Sequence, residues 1–247
     1  MMEQAFGVKH DHRSNPRRTP RASRPLSSGL SGSAKMKVLD LFCGAGGASM
    51  GYHKAGFEVV GVDIKPQPHY PFEFIQADAL EFLEQEGLNE FDLIHSSPPC
   101  QLYSTATPVE KRKNWPDLIP PLRVILNSTY IPYVIENVPG APLYGITLCG
   151  VMFGKPIARH RVFEVSFHIE QPIHIEHPEG IVQITGGGPC NSPARPGIGG
   201  ARRKPTANGA RQIMEMPWAT KAELNEAIPP VYTEYIGLEF LKEFGGK

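Results

Sequence analysis

The sequence predicts an α/β protein built on a doubly wound, mostly parallel sheet with a small additional region. Three observations predict it. Short apolar runs recur along the first half of the chain, and several close on a polar or acidic residue, as buried parallel strands do. A glycine-rich turn sits between the first of these runs and a helical segment. The next apolar runs follow at spacings that suit strand–helix alternation. At 247 residues the chain is long enough for one large α/β domain and a small appendage.

Taken in order, Lys37-Val38-Leu39-Asp40-Leu41-Phe42 is the first buried strand. Cys43-Gly44-Ala45-Gly46-Gly47 turns the chain into a helix over roughly Ala48 to Ala55. Phe57 to Asp63 is the second strand and Phe72 to Asp78 the third, each ending in a carboxylate. Asp63 lies about twenty residues beyond the glycine turn, where an acid can accept hydrogen bonds from both hydroxyls of a ribose. Asp78, at the next strand end, would sit near the base of the same nucleoside. A nicotinamide dinucleotide also suits a glycine turn with a strand-end acid. However, Gly44-x-Gly46-Gly47 is not the G-x-G-x-x-G fingerprint, and it has neither the lysine nor the spacing of a P-loop. Adenosine without a polyphosphate fits better, which points to S-adenosylmethionine.

Phe91-Asp92-Leu93-Ile94-His95 is a fourth strand, stopped by Ser96-Ser97-Pro98-Pro99-Cys100-Gln101. The prolines restrict the backbone just ahead of Cys100. Carboxyl ends of strands face the ligand crevice in an open α/β sheet, so Cys100 is placed to act as a nucleophile. The alternative is a buried structural cysteine, but inert cysteines usually sit among apolar neighbours. Tyr133-Val134-Ile135 is a further strand that brings Glu136 to its carboxyl end. Arg159 and Arg161 are spaced i and i+2, so an extended strand points both to one face. Taken singly, Glu136 is equally a cap, and each arginine a solvated charge.

The segments Asp40–Gly47, Pro98-Pro99-Cys100-Gln101, Glu136-Asn137-Val138 and Arg159-His160-Arg161-Val162-Phe163 occur in that order. Together with Asn225-Glu226-Ala227-Ile228-Pro229-Pro230 they resemble the motif series of the DNA (cytosine-5)-methyltransferases, from about Val38 to Phe240. The resemblance implies an S-adenosylmethionine-dependent, Rossmann-like fold in which the last helix returns beside the cofactor. It implies cofactor contacts from Phe42, Gly44, Gly46, Gly47, Asp63, Asp78 and Pro99. It also implies Cys100 as the thiolate that adds to cytosine C6, on a base flipped out of duplex DNA, and Glu136 as the group on N3 and the exocyclic amine. Arg159 and Arg161 would hold the C2 carbonyl oxygen and a nearby phosphate, their charge favouring the Cys100 thiolate. Gln101 and Ser104 would meet DNA. The sequence departs from the family at the serines before Pro98, at Cys43 and at Ile157, and none of these removes a reacting group. The same chemistry on an RNA cytosine, and a non-catalytic nucleic-acid-binding relative, are the alternatives.

The remaining composition is that of a water-soluble enzyme. No apolar run approaches about 18 residues, so no membrane span or membrane partner is expected. Cys43, Cys100, Cys149 and Cys190 show no paired metal-ligand spacing and no zinc site is indicated, which suggests a reducing, cytoplasmic setting. His174 and His177 are the nearest thing to a ligand pair and read as an exposed loop.

Residues 1–35 carry seven Lys or Arg against two Asp or Glu and cannot bury enough apolar surface to fold. Three readings stand: a basic arm on nucleic acid, a superficial likeness to a transit peptide, or an extension upstream of a start at Met36. Without them 18 basic and 23 acidic residues remain, a net of −5, so attraction to DNA must come from a local patch. Gly186 to Arg211, with Arg195, Arg202, Arg203 and Lys204, is that patch. The expected organisation is a catalytic and cofactor-binding part over 36–170, a small target-recognition region over 171–218 and a completing helix over 219–247. Ala210 to Trp218 reads as a short helix with Trp218 packing, and Tyr232 to Leu241 as the last helix. Target sequence and companion nuclease are not legible.

Overall fold

The computed structural model describes residues 35–84, 87–184 and 204–246. Lys37–Leu41 forms β1, Glu58–Asp63 β2, Glu73–Gln76 β3, Leu93–Ser96 β4, Tyr133–Asn137 β5, Ile146–Leu148 β6 and Arg161–Val165 β7. They make one seven-stranded sheet in the order β3-β2-β1-β4-β5-β7-β6. Strands β3, β2, β1, β4 and β5 are parallel, while β7 runs antiparallel to both β5 and β6. The strand order reverses beside β1, which opens a crevice at the carboxyl ends of β1 and β4.

The helices are α1 (Gly47–Ala55), α2 (Ala79–Leu83), α3 (Val109–Arg112), α4 (Ile119–Thr129), α5 (Ala207–Met214), α6 (Lys221–Glu226) and α7 (Pro230–Phe244). Two apolar layers cover the sheet. On one face Val38, Tyr52, Phe57, Leu93, Phe163, Tyr232, Ile236 and Phe240 pack under α1 and α7. On the other, Leu39, Leu41, Val60, Val62, Ile94, Leu122 and Leu126 pack under α2 and α4. Alternation along β1 and β2 assigns successive residues to opposite layers, so apolar residues stand on both faces of each strand, with Asp40 a buried polar exception in β1.

Helices α1 and α7 approach so closely that glycine is required. A Cβ on Gly51 would lie 2.0 Å from the Pro230 carbonyl oxygen and 2.1 Å from Thr233 Oγ1. Thr233 uses that proximity to donate to the Ala48 carbonyl at 2.7 Å. The last helix thus returns beside the glycine turn, as the family resemblance implies.

Three boundaries differ from the sequence expectation. The third strand stops at Gln76, because Asp78 leaves the sheet to cap α2, accepting from the N–H groups of Leu80 and Glu81. Helix α5 begins at Ala207, set by the Thr206 N-cap, and ends at Met214, before Pro217. Strand β7 starts at Arg161, so Arg159 precedes it. Among the described residues of 171–218, Ile184, Ala210, Met214 and Met216 share a buried cluster with Ala45 and Ile157. No described helix is long and apolar enough to cross a membrane.

Candidate active site

The turn after β1 passes through left-handed backbone three times, at Phe42 (φ 59°), Gly44 (φ 49°) and Gly46 (φ 85°). Phe42 adopts this conformation at a cost of about 1–2 kcal/mol, the kind of local strain found at ligand sites. Gly44 donates its N–H to Asp63 Oδ2 at 3.1 Å, and Lys65 N–H reaches Oδ1 at 2.9 Å. The strand-end acid therefore braces the turn it faces. A Cβ on Gly44 would have no atom within 4 Å, so this glycine looks onto open space. Gly46 differs: a Cβ there would meet the Tyr70 ring at 3.1 Å and Pro71 at 3.3 Å. Gly47 is more tightly confined: a Cβ there would lie 2.5 Å from the Ile228 carbonyl oxygen. At these two positions protein packing, and not ligand space, forbids a side chain.

Beneath the turn lies a buried polar cluster that sequence reasoning missed. Tyr70 Oη contacts Ser49 Oγ at 2.7 Å, and Ser49 bonds Asp40 Oδ2. Burial pushes the Asp40 carboxyl up to about 7, although its bond with Ser49 opposes the shift. Its Oδ1 is buried without a hydrogen-bond partner. The same turn takes the Trp218 indole N–H on the Ala45 carbonyl at 2.9 Å, in keeping with the packing role expected of Trp218.

Cys100 ends the loop after β4 and is half-buried, with Pro99 beside it. Its carbonyl accepts from the N–H groups of Tyr103 and Ser104, closing a tight turn. Asn137, fully buried at the end of β5, donates Nδ2 to the Pro98 carbonyl at 3.0 Å and so ties the cysteine loop to the strand that carries Glu136. Burial raises the Cys100 thiol above its ordinary value; Arg161 and Arg159 pull it down, but burial prevails. The arginines moderate the thiol without making it a standing thiolate.

Glu136 is 5 % exposed, and Arg161 Nε lies 3.0 Å from its Oε1, an ion pair whose angle is not that of a hydrogen bond. Burial raises the Glu136 carboxyl, while Arg161 and a hydrogen bond from Ser97 restrain the rise. Ser97 Oγ is 2.9 Å from His95 Nε2, and His95 Nδ1 is 3.0 Å from Tyr52 Oη. A continuous polar chain therefore runs from α1 to Glu136. Burial holds His95 down to about 3, so its imidazole is neutral. The position of His95 on a strand gave no sign of this contact.

Arg159 is arranged otherwise than expected. It is 4 % exposed, and its guanidinium donates to the carbonyls of Ile184, Asn225 and Glu226. Tyr232 Oη donates to the Arg159 carbonyl at 2.6 Å. Burial lowers Arg159 to about 9. Its Nη groups clamp the C-terminal motif to the start of β7, while its Nε is buried without a hydrogen-bond partner. Arg161 alone of the two reaches Glu136.

Gln101 is half-buried, with Oε1 lacking a hydrogen-bond partner. Ser104 Oγ accepts from Ala106 N–H at 3.2 Å. Lys204 is exposed; Arg195, Arg202 and Arg203 lie outside the described residues, as does Cys190. The histidine pair expected in an exposed loop is divided: His174 is exposed but His177 is buried beside Cys149.

Residues 36–141 match the model of the C-5 cytosine-specific DNA methylase family. The chain is 38 % identical over 81 residues to Type II methyltransferase M.HgiGI of Herpetosiphon aurantiacus, covering 29 % of this chain and 64 % of that one. It is 33 % identical over 126 residues to M.AquIA of Picosynechococcus, covering 42 % and 49 %, and 31 % identical over 85 residues to M.AgeI of Thalassovita gelatinovora, covering 28 % and 20 %. The chain thus spans less than two thirds of the length of these relatives.

Two solved structures share the fold. A methyltransferase encoded within an E. coli prophage has TM-score 0.55 at 16 % identity, with 85 % of this chain and 100 % of that one covered. The S. pombe Dnmt2 methyltransferase has TM-score 0.52 at 13 % identity, covering 85 % and 99 %. Over residues 36–141 the chain is similar to the C-5 cytosine-specific DNA methylases, and the motif order and sheet topology agree with that likeness.

Proposed function

We propose that this protein transfers a methyl group from S-adenosylmethionine to carbon 5 of cytosine in duplex DNA, through a covalent bond between Cys100 and C6 of a flipped base. The observation that carries the proposal is the convergence of Cys100 with the Glu136–Arg161 pair at neighbouring strand ends, one strand away from the glycine turn.

The cofactor fits the residues present. Open space over Gly44, the Asp63 carboxylate at the end of β2 and the orphaned Asp40 oxygen beneath the turn suit a cationic nucleoside. Phe42, Gly44, Asp63 and Asp78 would line it, with Pro99 on the side of the cysteine loop; Gly46 and Gly47 shape the turn from behind. When bound, it supplies an electrophilic methyl on a sulfonium centre.

C5 of cytosine is a poor nucleophile, and the residues of this chain correct that. The Cys100 thiol loses its proton to solvent as the base docks, and its sulfur bonds to C6. The C5–C6 electron pair is then available at C5, which takes the methyl. Glu136, whose carboxyl burial raises against the pull of Arg161, takes up a proton as the base docks and shares it with N3, which limits the negative charge developing on the ring. Arg161 holds Glu136 in register and extends positive potential toward the C2 oxygen. Loss of the C5 proton to solvent expels the Cys100 sulfur, restores the ring double bond and returns the N3 proton to Glu136.

In this proposal residues 171–218 form the target-recognition region, with Gln101 and Ser104 contributing from the cysteine loop, and residues 1–35 form a basic arm. The Type II names of the curated relatives support a place in restriction and modification. The test is a duplex containing 5-fluorocytosine at target cytosines. The intact protein with cofactor should form an adduct stable to denaturation, because fluorine cannot leave C5, and Cys100→Ala should form none while still binding cofactor. Substantial methyl transfer by Cys100→Ala would end the proposal, and adduct formation with RNA but not DNA would move it to the RNA substrate.

A further inference from the structure

Four side chains outside the proposed reaction meet at one point. Cys149, His160, His174 and His177 each bring one ligand atom to a cluster in which all four atoms lie within 4.8 Å of one another. Cys149 Sγ is 3.3 Å from His177 Nε2, and His160 Nε2 is 3.1 Å from His174 Nε2. The three imidazole centroids are mutually 5.0–5.1 Å apart. For zinc, bond lengths near 2.3 Å to sulfur and 2.0–2.1 Å to nitrogen place neighbouring ligand atoms about 3.3–3.6 Å apart in a tetrahedron. The two measured edges are at or just inside that spacing.

The fold builds this meeting from three directions. Leu148 pairs with Arg161 in the antiparallel β6–β7 ladder, so the next residues outward, Cys149 and His160, stand opposite each other. The loop that carries His174 and His177 is fastened at both ends. Gln171 forms a two-way pairing with the Thr147 backbone, at 2.8 and 2.9 Å. Val182 exchanges backbone bonds with Pro156 and Ala158. Between these anchors the loop has no regular secondary structure, and Ile173 and Ile175 point to solvent at 87 % and 55 % exposure. Ile181 packs with Cys149 and Val151 at the far end of the loop, His177 is buried beside Cys149, and His174 reaches His160 from the exposed side. Cys149 Sγ also lies 3.8 Å from the Ile157 carbonyl oxygen, a weak thiol bond that gives way when the sulfur takes a metal.

We propose that Cys149, His160, His174 and His177 form a structural zinc site. One thiolate and three imidazoles exclude calcium and magnesium, which take oxygen ligands, and match zinc. Four protein ligands close the coordination sphere, so the site is structural and not catalytic. Its consequence is positional. His160 stands between Arg159 and Arg161, so the ion fastens the start of the arginine strand to β6 and to the loop leading toward Ile184. The inference is independent of the methyl-transfer proposal, because none of the four residues takes part in it.

The experiment is elemental analysis of the full chain, purified without chelator or metal-affinity resin, followed by cobalt substitution. The expected result is about one zinc per chain. The cobalt form should show the strong visible bands of a four-coordinate ion and a thiolate-to-cobalt band in the near ultraviolet. Cys149→Ser should abolish the thiolate band. His174→Ala alters only an exposed ligand and guards against misfolding of the buried cysteine variant; it should lower zinc retention against a competing chelator at least tenfold. His168→Ala, an exposed histidine outside the cluster, should keep full zinc. Zinc-free wild-type protein that takes up no zinc on titration, a six-coordinate cobalt spectrum, or undiminished zinc in both ligand variants would overturn the site.

Discussion

Replacing Arg159 by methionine separates two roles that the sequence assigns together. The guanidinium serves three carbonyls, of Ile184, Asn225 and Glu226, the first of these bonds fully buried and the other two partly so. A buried acceptor left without a donor costs about 1–3 kcal/mol, and bonds to a charged donor are at the upper end. Removal of a desolvated cation returns part of this, since burial already holds Arg159 down to about 9. The net expectation is a loss of about 3–5 kcal/mol, a large share of an ordinary domain stability of about 5–15 kcal/mol. Urea unfolding should show it as a lower midpoint with an unchanged slope. Cofactor affinity should fall too, because Asn225 and Glu226 precede the Ile228 carbonyl that packs on Gly47. Arg161→Met should do the opposite, losing methyl transfer with a stability change of about 1–2 kcal/mol. An Arg159→Met protein as stable as wild type but unable to methylate would refute the argument and return Arg159 to the substrate.

Three further outcomes are expected. Gly51→Ala should destabilise by about 1–3 kcal/mol through overpacking, despite the better helix propensity of alanine, because the new carbon would overlap the Pro230 carbonyl of α7; thermal melts against Gly209→Ala, whose Cβ would meet nothing closer than 3.3 Å, decide it. Asp63→Ala should weaken S-adenosylmethionine binding by about 1–3 kcal/mol in calorimetric titration, partly by releasing the Gly44 and Lys65 amides, and wild-type affinity would exclude the ribose contact. His95 supplies a pH test: its folded value of about 3 lies below the ordinary 6.5, so its contribution is present above 6.5 and is lost as pH falls toward 3. Between about pH 6.5 and pH 5 wild type should lose about 2 kcal/mol that His95→Gln does not lose; equal losses in parallel urea titrations would show that His95 accepts its proton when folded.

Local pattern was enough for most of the framework. The apolar runs that became β1, β2, β4 and β5 are buried on both faces, so hydrophobicity alone marks them, and left-handed backbone demands glycine at positions 44 and 46. The carboxyl ends of those strands then located Cys100, Glu136 and Asp63, because a parallel sheet puts all such ends on one edge. Where a residue has two local options, the sequence could not choose between them. Asp78 is as good a helix cap as a strand end, and capping prevailed because two N–H groups of α2 lay within reach. Arg159 and Arg161 are alike on paper, and only the return of the C-terminal motif decided that one would be clamped by carbonyls and the other face Glu136. The chain from Tyr52 through His95 and Ser97 joins α1 to β4, and Cys149 meets His160 only through the antiparallel register of β6 and β7. Contacts between residues 28 or 43 positions apart have no period or spacing to announce them. Local propensity and burial wrote the strands, the turn and the edge on which the chemistry lies; long-range packing alone decided which polar groups on that edge remain available to a substrate.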